Sequence, residues 1–208
     1  MRVLDLDMDF FLSDVCALAA PEKRPPVSEA QPWDEAAVRA FLEENCGLSR
    51  QNPVPGRVFT THDGALDLWK EWVEAGKLRA PFHVTHVDAH SDLGAGKPGP
   101  AYVLETVLAL PLEKRFDLAR YRREERLDEA NYLLFALALR YVASLENVRS
   151  PRSRPDMPQA IAVGGGQSPR ALRLSSTLSR LLPQYDFHEP EIPYEVYGDW
   201  RAFRADAP

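Results

Sequence analysis

The chain has 208 residues, with 25 Lys and Arg against 31 Asp and Glu, giving a formal net charge of −6 with the histidines neutral. That is one domain's worth of sequence, read here as a single domain over 1–208, and 45% apolar with 27% charged residues is the composition of an ordinary soluble globular protein. The acidity argues against a general nucleic-acid binder, which would be basic, and favours cationic company, whether metals or guanidinium groups.

In chain order, Val3 to Phe11 alternates apolar with acidic residues at the period of a strand, one face carrying Asp5, Asp7 and Asp9 and the other Leu4, Leu6, Met8 and Phe10. Three carboxylates within the first nine residues exclude a secretory h-region. Ala20 to Pro32, rich in Pro, Glu and Lys, reads as a surface loop, and Trp33 to Cys46 as an amphipathic helix closed by Gly47 at C′. Cys16 and Cys46 lack CxxC spacing, so neither a thiolate zinc site nor a disulfide framework is expected, and a reducing cytoplasm is the simplest setting. Val58 to Thr61 is a short strand candidate; after His62 a helix through Leu66, Leu68, Trp69, Trp72 and Val73 stops at Gly76. Phe82 to Ala89 is the next strand, Gly94 to Pro100 a Gly/Pro loop, and Ala101 to Leu110 a helix.

Glu113 to Arg126 mixes Arg with Glu as a solvated helix face does. Asp128 caps a helix expected to run to about Leu145, within which Tyr132 to Leu139 is the longest apolar run, far short of the roughly 20 residues a membrane span demands. Arg149 to Pro158 reads as a loop, Gln159 to Val163 as a strand, Gly164-Gly165-Gly166 as a tight turn, and Ser168-Pro169 as the opening of a helix ending at Pro183. Strands alternating with helices predict an α/β fold, a three-layer sandwich with a mainly parallel sheet.

Two segments carry the chemistry. In His86-Val87-Asp88-Ala89-His90-Ser91-Asp92-Leu93, Asp88, His90 and Asp92 share parity at the end of an apolar strand. Fully extended, Asp88 and Asp92 would lie about 13 Å apart, so the chain must bend for all three to meet, and Gly94 and Gly96 favour that. Asp5, Asp7 and Asp9 repel one another on one strand face unless they sit in solvent or neutralise a cation, and a sheet covered on both faces leaves the cation. Oxygen-rich ligation with one or two imidazoles suits Mn²⁺, Fe²⁺ or Zn²⁺, and bridging carboxylates favour two ions. His62 follows a short apolar run and precedes a helix, where open α/β sheets place ligands.

Asp88-Ala89-His90-Ser91-Asp92 resembles the Asp-Ala-His-x-Asp metal motif of the arginase and agmatinase superfamily. Together with Val3-Leu4-Asp5-Leu6-Asp7-Met8-Asp9-Phe10-Phe11, His62-Asp63-Gly64-Ala65-Leu66 and Glu129-Ala130-Asn131-Tyr132, it is similar to the arginase-like branch containing the peptide arginases, which convert arginine side chains of ribosomally made peptides to ornithine. The resemblance implies an arginase/deacetylase-like fold and two Mn²⁺ held by His62, Asp88, His90 and Asp92 with two N-terminal aspartates. Asp7 and Asp9 are favoured there, with Asp5 as an outer partner or alternative ligand. The Gly-Gly-Asp-His block of free-arginine arginases is missing, no Asp-Pro follows Asp5-Leu6-Asp7, and the aspartate strand comes first, as in a permuted, compact version.

What the resemblance implies for function is hydrolysis of peptidyl arginine to ornithine and urea, with an arginine-containing precursor peptide as partner. Asp92 is the expected proton acceptor and His86, by strand parity, the auxiliary proton-transfer or outer-shell residue, with His188 in Asp186-Phe187-His188-Glu189-Pro190-Glu191 as rival. Asn131, in the first turn of its helix, is the candidate substrate-binding residue beside a capping role. Alternatives are a hydrolase of small guanidino compounds or amides and a metal-binding protein without turnover. The oligomeric state is open, a homo-oligomer included.

Overall fold

The computed structural model describes residues 1–12, 30–94, 100–151, 153, 156–164, 169–176, 189–198, 200 and 203. Six strands form one sheet: β1 (Arg2–Leu6), β2 (Phe82–Asp88), β3 (Val142–Arg149), β4 (Ala162–Val163), β5 (Ala171–Leu172) and β6 (Ile192–Tyr197), in the order β1-β2-β3-β6-β5-β4. The first four in that order are parallel, while β5 pairs antiparallel with both β6 and β4. The expected α/β architecture with a mainly parallel sheet is present, the β4–β5 edge making it mixed.

Register explains where the chemistry sits. Val3, Val84, Leu145 and Tyr194 align across β1, β2, β3 and β6, and one step toward the carboxyl ends Asp5, His86, Asn147 and Val196 align on the same face. The apolar row packs under α2 (Gly64–Glu74) and α4 (Tyr132–Ala138) in the main core. The polar row lies where parallel strands end and open α/β sheets hold ligands. On the opposite face Leu4, Leu6, Val87, Val148 and Tyr197 meet Phe10, Phe11 and Phe41, the last from α1 (Glu35–Glu44). Helical layers on both faces are compatible with the three-layer sandwich.

Several local expectations need correction. β1 ends at Leu6 because the Asp7 carboxylate accepts from the Asp9 amide (2.9 Å) and starts a 3-10 turn over Met8–Phe11, which buries Phe10 and Phe11 together as an alternating strand could not. Val58 to Thr61 is not a strand: Val58 is 97% exposed, so the run buries too little apolar surface to offset ordering its backbone. β2 stops at Asp88, one residue early. The expected helix begins at Ala101 but is wound as a π-turn over Val103–Val107 and ends there, short of Leu110.

The helix after Asp128 does not reach Leu145. It starts at Tyr132 with Asn131 as N-cap and closes on a Schellman pattern, the Tyr141 amide donating to Ala136 O (3.0 Å) and the Arg140 amide to Leu137 O (2.9 Å), with Arg140 left-handed at φ 58. The usual glycine signal is absent, and β3 follows at once, taking in Arg149 as its buried last residue. Glu113 to Arg126 is not one solvated helix face: a 3-10 turn (Leu112–Lys114) precedes α3 (Leu118–Arg123), and Arg115 between them is buried, donating to Leu110 O, Ala138 O and Glu189. Gln159–Ile161 is a 3-10 turn, leaving only Ala162–Val163 as strand. The helix from Ser168-Pro169 is replaced over 169–176 by β5, whose residues pair with β6. Ser168, the rest of that helix to Pro183, Cys16, most of the 20–32 loop, Gly165-Gly166 and His188 lie outside the described residues. Among the described residues, no helix is long and apolar enough to cross a membrane.

Candidate metal centre

Three stretches of chain converge at the carboxyl ends of β1 and β2. The β1 row supplies Asp5, the 3-10 turn Asp7 and Asp9, and β2 with its following turn His86, Asp88, His90 and Asp92. His62 arrives from the residues preceding α2. Gly64 is required there: a Cβ at this position would lie 2.5 Å from Phe59 Cδ1, so the ring closes over a bare backbone beside His62. Arg122 of α3 fixes the same turn from outside, donating from Nε (3.0 Å) and Nη2 (2.8 Å) to Asp63 Oδ2 and from Nη1 to Asp67.

The bend demanded of the Asp88–Asp92 segment occurs at Asp92 itself. Its φ of 50 is left-handed, a conformation that costs a non-glycine residue about 1–2 kcal/mol, and Gly94 at φ 92 continues the turn. The backbone is braced by β3: Arg149 donates from Nη2 to Ala89 O (3.1 Å) and from Nη1 to Asp156 (2.6 Å), and Asp156 accepts from the Ser91 amide (2.8 Å). The His90 amide donates to Asp88 Oδ1 (2.7 Å) and the Ala89 amide to Asp9 Oδ1 (3.2 Å).

Five carboxylates and three imidazoles form four overlapping groups, each compact enough for one cation: Asp5, His62, His86; Asp7, His62, Asp88; Asp9, Asp88, His90; and His86, Asp88, Asp92. His62 Nδ1 lies 3.0 Å from Asp88 Oδ2, 3.1 Å from Asp92 Oδ2 and 3.3 Å from Asp7 Oδ2. His90 Nδ1 lies 2.9 Å from Asp9 Oδ2 and 3.5 Å from Asp88 Oδ1. Asp88 therefore shows one oxygen to each of two positions, as a bridging carboxylate does. Asp7, Asp9 and His90 are partly exposed and form the mouth, whereas Asp5, His86, Asp88 and Asp92 are buried.

The donor set fits divalent cations. His62 Nδ1, His86 Nε2 and Asp88 Oδ2 are buried and none has a hydrogen-bond partner, although the two nitrogens lie 3.0 and 3.4 Å from that oxygen. Lone pairs that close, aimed inward without aligned hydrogens, are a ligand arrangement. The outer nitrogens are held as ligating histidines require: Asp5 Oδ1 faces His62 Nε2 (3.1 Å), and Oδ2 faces His86 Nδ1 (3.1 Å). The Tyr132 hydroxyl, fully buried on α4, donates to Asp5 Oδ2 and sits 3.1 Å from His62 Nε2. Tyr132 lay within a recognised block, but only the fold gives it a task.

Without cations the cluster shares charge through protons. Burial and the Asp88 charge push Asp92 up to about 7 and Asp9 up to about 6. Asp88 is itself opposed by burial, but the His62 imidazole 3.0 Å away and the charge of His86 hold it well below the ordinary carboxylate range. Asp5 is likewise held low by His62 and His86 against its burial. His62 is opposed by burial, yet Asp5 raises it well above the ordinary imidazole value, and Asp88 and Asp9 lift His90 to about 11.

Of the residues expected from sequence, Asp5, Asp7, Asp9, His62, His86, Asp88, His90 and Asp92 are brought together. Asn131 stands apart, spent at both ends on its own loop: Nδ2 donates to Arg126 O (2.9 Å) and Oδ1 accepts from the Asp128 amide (3.0 Å). The residues sequence reasoning missed, Tyr132, Arg149, Asp156 and Arg122, act by holding the cluster's members. Comparison with protein-family models, with curated proteins and with solved structures returned no match for this chain.

Proposed function

We propose that the chain is a binuclear-metal hydrolase that converts peptidyl arginine to ornithine with release of urea. The observation that carries the metal-dependent part is the convergence of unpartnered His62 Nδ1, His86 Nε2 and Asp88 Oδ2 among carboxylates, with Asp88 facing two positions. The guanidino part rests on the Asp-Ala-His-x-Asp motif read together with the His62 and N-terminal aspartate blocks. His62, Asp88, Asp92 and Asp7 would hold one Mn²⁺ and Asp88, His90 and Asp9 the other, with Fe²⁺ or Zn²⁺ as substitutes and Asp5 as outer partner.

Bound cations would supply Lewis acidity that lowers the pKa of water at the site. The chain supplies the rest. Asp7, Asp9 and His90 line the mouth through which a guanidinium would arrive, and the buried Asp5, His86, Asp88 and Asp92 keep bulk water from the depth of the cluster. Asp92, a buried carboxylate 3.1 Å from His62 Nδ1 at the inner end of the cluster, would accept the proton of attacking water and return it to the departing amine. In balance, the arginine guanidinium and one water give the ornithine ammonium and urea.

The test is incubation of Mn²⁺-loaded protein with the arginine-containing precursor peptide, reading urea and the loss of CN₂H₂ from the peptide. Urea from free arginine or agmatine but never from peptides would replace this reading by a small-molecule hydrolase, and metal binding without any product would leave a binding protein. Asp88→Ala should abolish metal retention and activity together; full metal occupancy in that variant would sink the site assignment.

A further inference from the structure

His86 stands in the buried heart of the cluster, yet neither an aligned hydrogen bond nor the proposed ligand set uses its Nε2. That atom lies 3.4 Å from Asp88 Oδ2 and 3.9 Å from Asp92 Oδ2. The His86 ring stacks against His62, centroids 5.3 Å apart and planes 26° apart. Both rings are gripped from behind by one carboxylate, Asp5, which can only accept. A neutral imidazole that donates to Asp5 carries its proton on that side, His62 on Nε2 and His86 on Nδ1. When both are neutral, His62 Nδ1 and His86 Nε2 are left as bare lone pairs 3.0 and 3.4 Å from the same Asp88 oxygen. Two lone pairs and a carboxylate oxygen at that range repel one another unless a cation lies between them.

We propose that His86 is a metal ligand, its Nε2 joining His62 Nδ1 on the cation position served by Asp88 Oδ2 and Asp92, so that this position carries two imidazoles and the position at Asp9 and His90 carries one. The two positions then differ in chemistry. Two imidazoles with carboxylates favour zinc or iron, whereas the carboxylate-rich position at the mouth discriminates less against manganese. The sites fill in order, the inner one first with the more nitrogen-seeking ion. The inference rests on the reading of the cluster as a metal centre, though not on the substrate.

X-ray absorption of the intact protein at one equivalent of Zn²⁺ tests it directly, with two imidazoles per zinc expected and a single imidazole overturning it. His86→Asn keeps a donor near the position of Nδ1, facing Asp5, and deletes only Nε2. Competition titrations should then show zinc affinity at the first site down by about tenfold or more, the low end of what losing even an outer partner costs, with manganese affinity at the second site nearly unchanged. Unchanged zinc affinity, or equal losses for both sites, would refute the assignment. If the unaltered protein takes up no metal at all, the metal-centre reading itself fails, an outcome distinct from zinc bound through one imidazole.

Discussion

Asp5 is the residue whose replacement by an isostere speaks most directly to how the centre is built. Its two oxygens each hold one imidazole at 3.1 Å, and the Tyr132 hydroxyl adds a third donor. Asp5→Asn preserves volume but turns one acceptor into an NH₂ donor. The imidazole facing that donor must shift its proton to the opposite nitrogen, the one aimed at Asp88 and Asp92, and is lost as a ligand. Loss of such an outer partner costs roughly 10–100-fold in metal affinity, or about 1.4–2.7 kcal/mol. At a fixed metal concentration well above the dissociation constant, the same amount disappears from metal-induced stabilisation. For a chain of 208 residues that is a shortfall of about 3–11 °C in the thermal shift on adding metal. Calorimetric titration with Mn²⁺ and with Zn²⁺, beside melts with and without metal, reads both quantities. Tyr132→Phe, which removes only the hydroxyl, should weaken metal less. An Asp5→Asn protein that binds metal as tightly as the parent would refute the tautomer argument.

Metal uptake should release protons and become more favourable as pH rises. In the metal-free fold Asp92 near 7, Asp9 near 6 and His90 near 11 bind more protons than the unfolded chain does, so their contribution to stability falls with rising pH while cation binding gains. The metal-induced thermal shift should therefore grow from pH 5 to pH 8, and a shift independent of pH would contradict this. Phe135→Ala, which removes a fully buried ring 5.0 Å from Tyr121, should cost about 3–5 kcal/mol in urea unfolding. Gly64→Ala should lower stability by about 1–3 kcal/mol and weaken metal as well, because Phe59 must move beside His62; an unaltered metal affinity would detach that contact from the site.

The candidate ligands were legible because their chemistry is local. Asp88, His90 and Asp92 lie within five residues, Asp5, Asp7 and Asp9 within another five, and the electrostatic cost of such carboxylates points to a cation without any knowledge of the fold. The β3 strand was misread for an equally local reason. Its helix stop uses Arg140 in the left-handed region where glycine would have announced it, and the apolar run ahead of it suits helix and strand alike. The β5 segment is two residues paired to β6, a contact that no pattern within 169–176 encodes.

By itself, then, the sequence determined the parallel α/β character, the buried α4 stripe and the identity of the acidic and imidazole donors, since periodicity and charge are properties of neighbouring residues. Tertiary structure alone decided their division of labour. Asp5 faces both His62 and His86 because β1 sets it level with His86, while the 3-10 turn carries Asp7 and Asp9 to partly exposed positions. Arg149 became a brace because β3 sets it level with Asp88. Register between strands more than fifty residues apart assigns such roles, and register is settled by packing of the whole sheet rather than by any one segment.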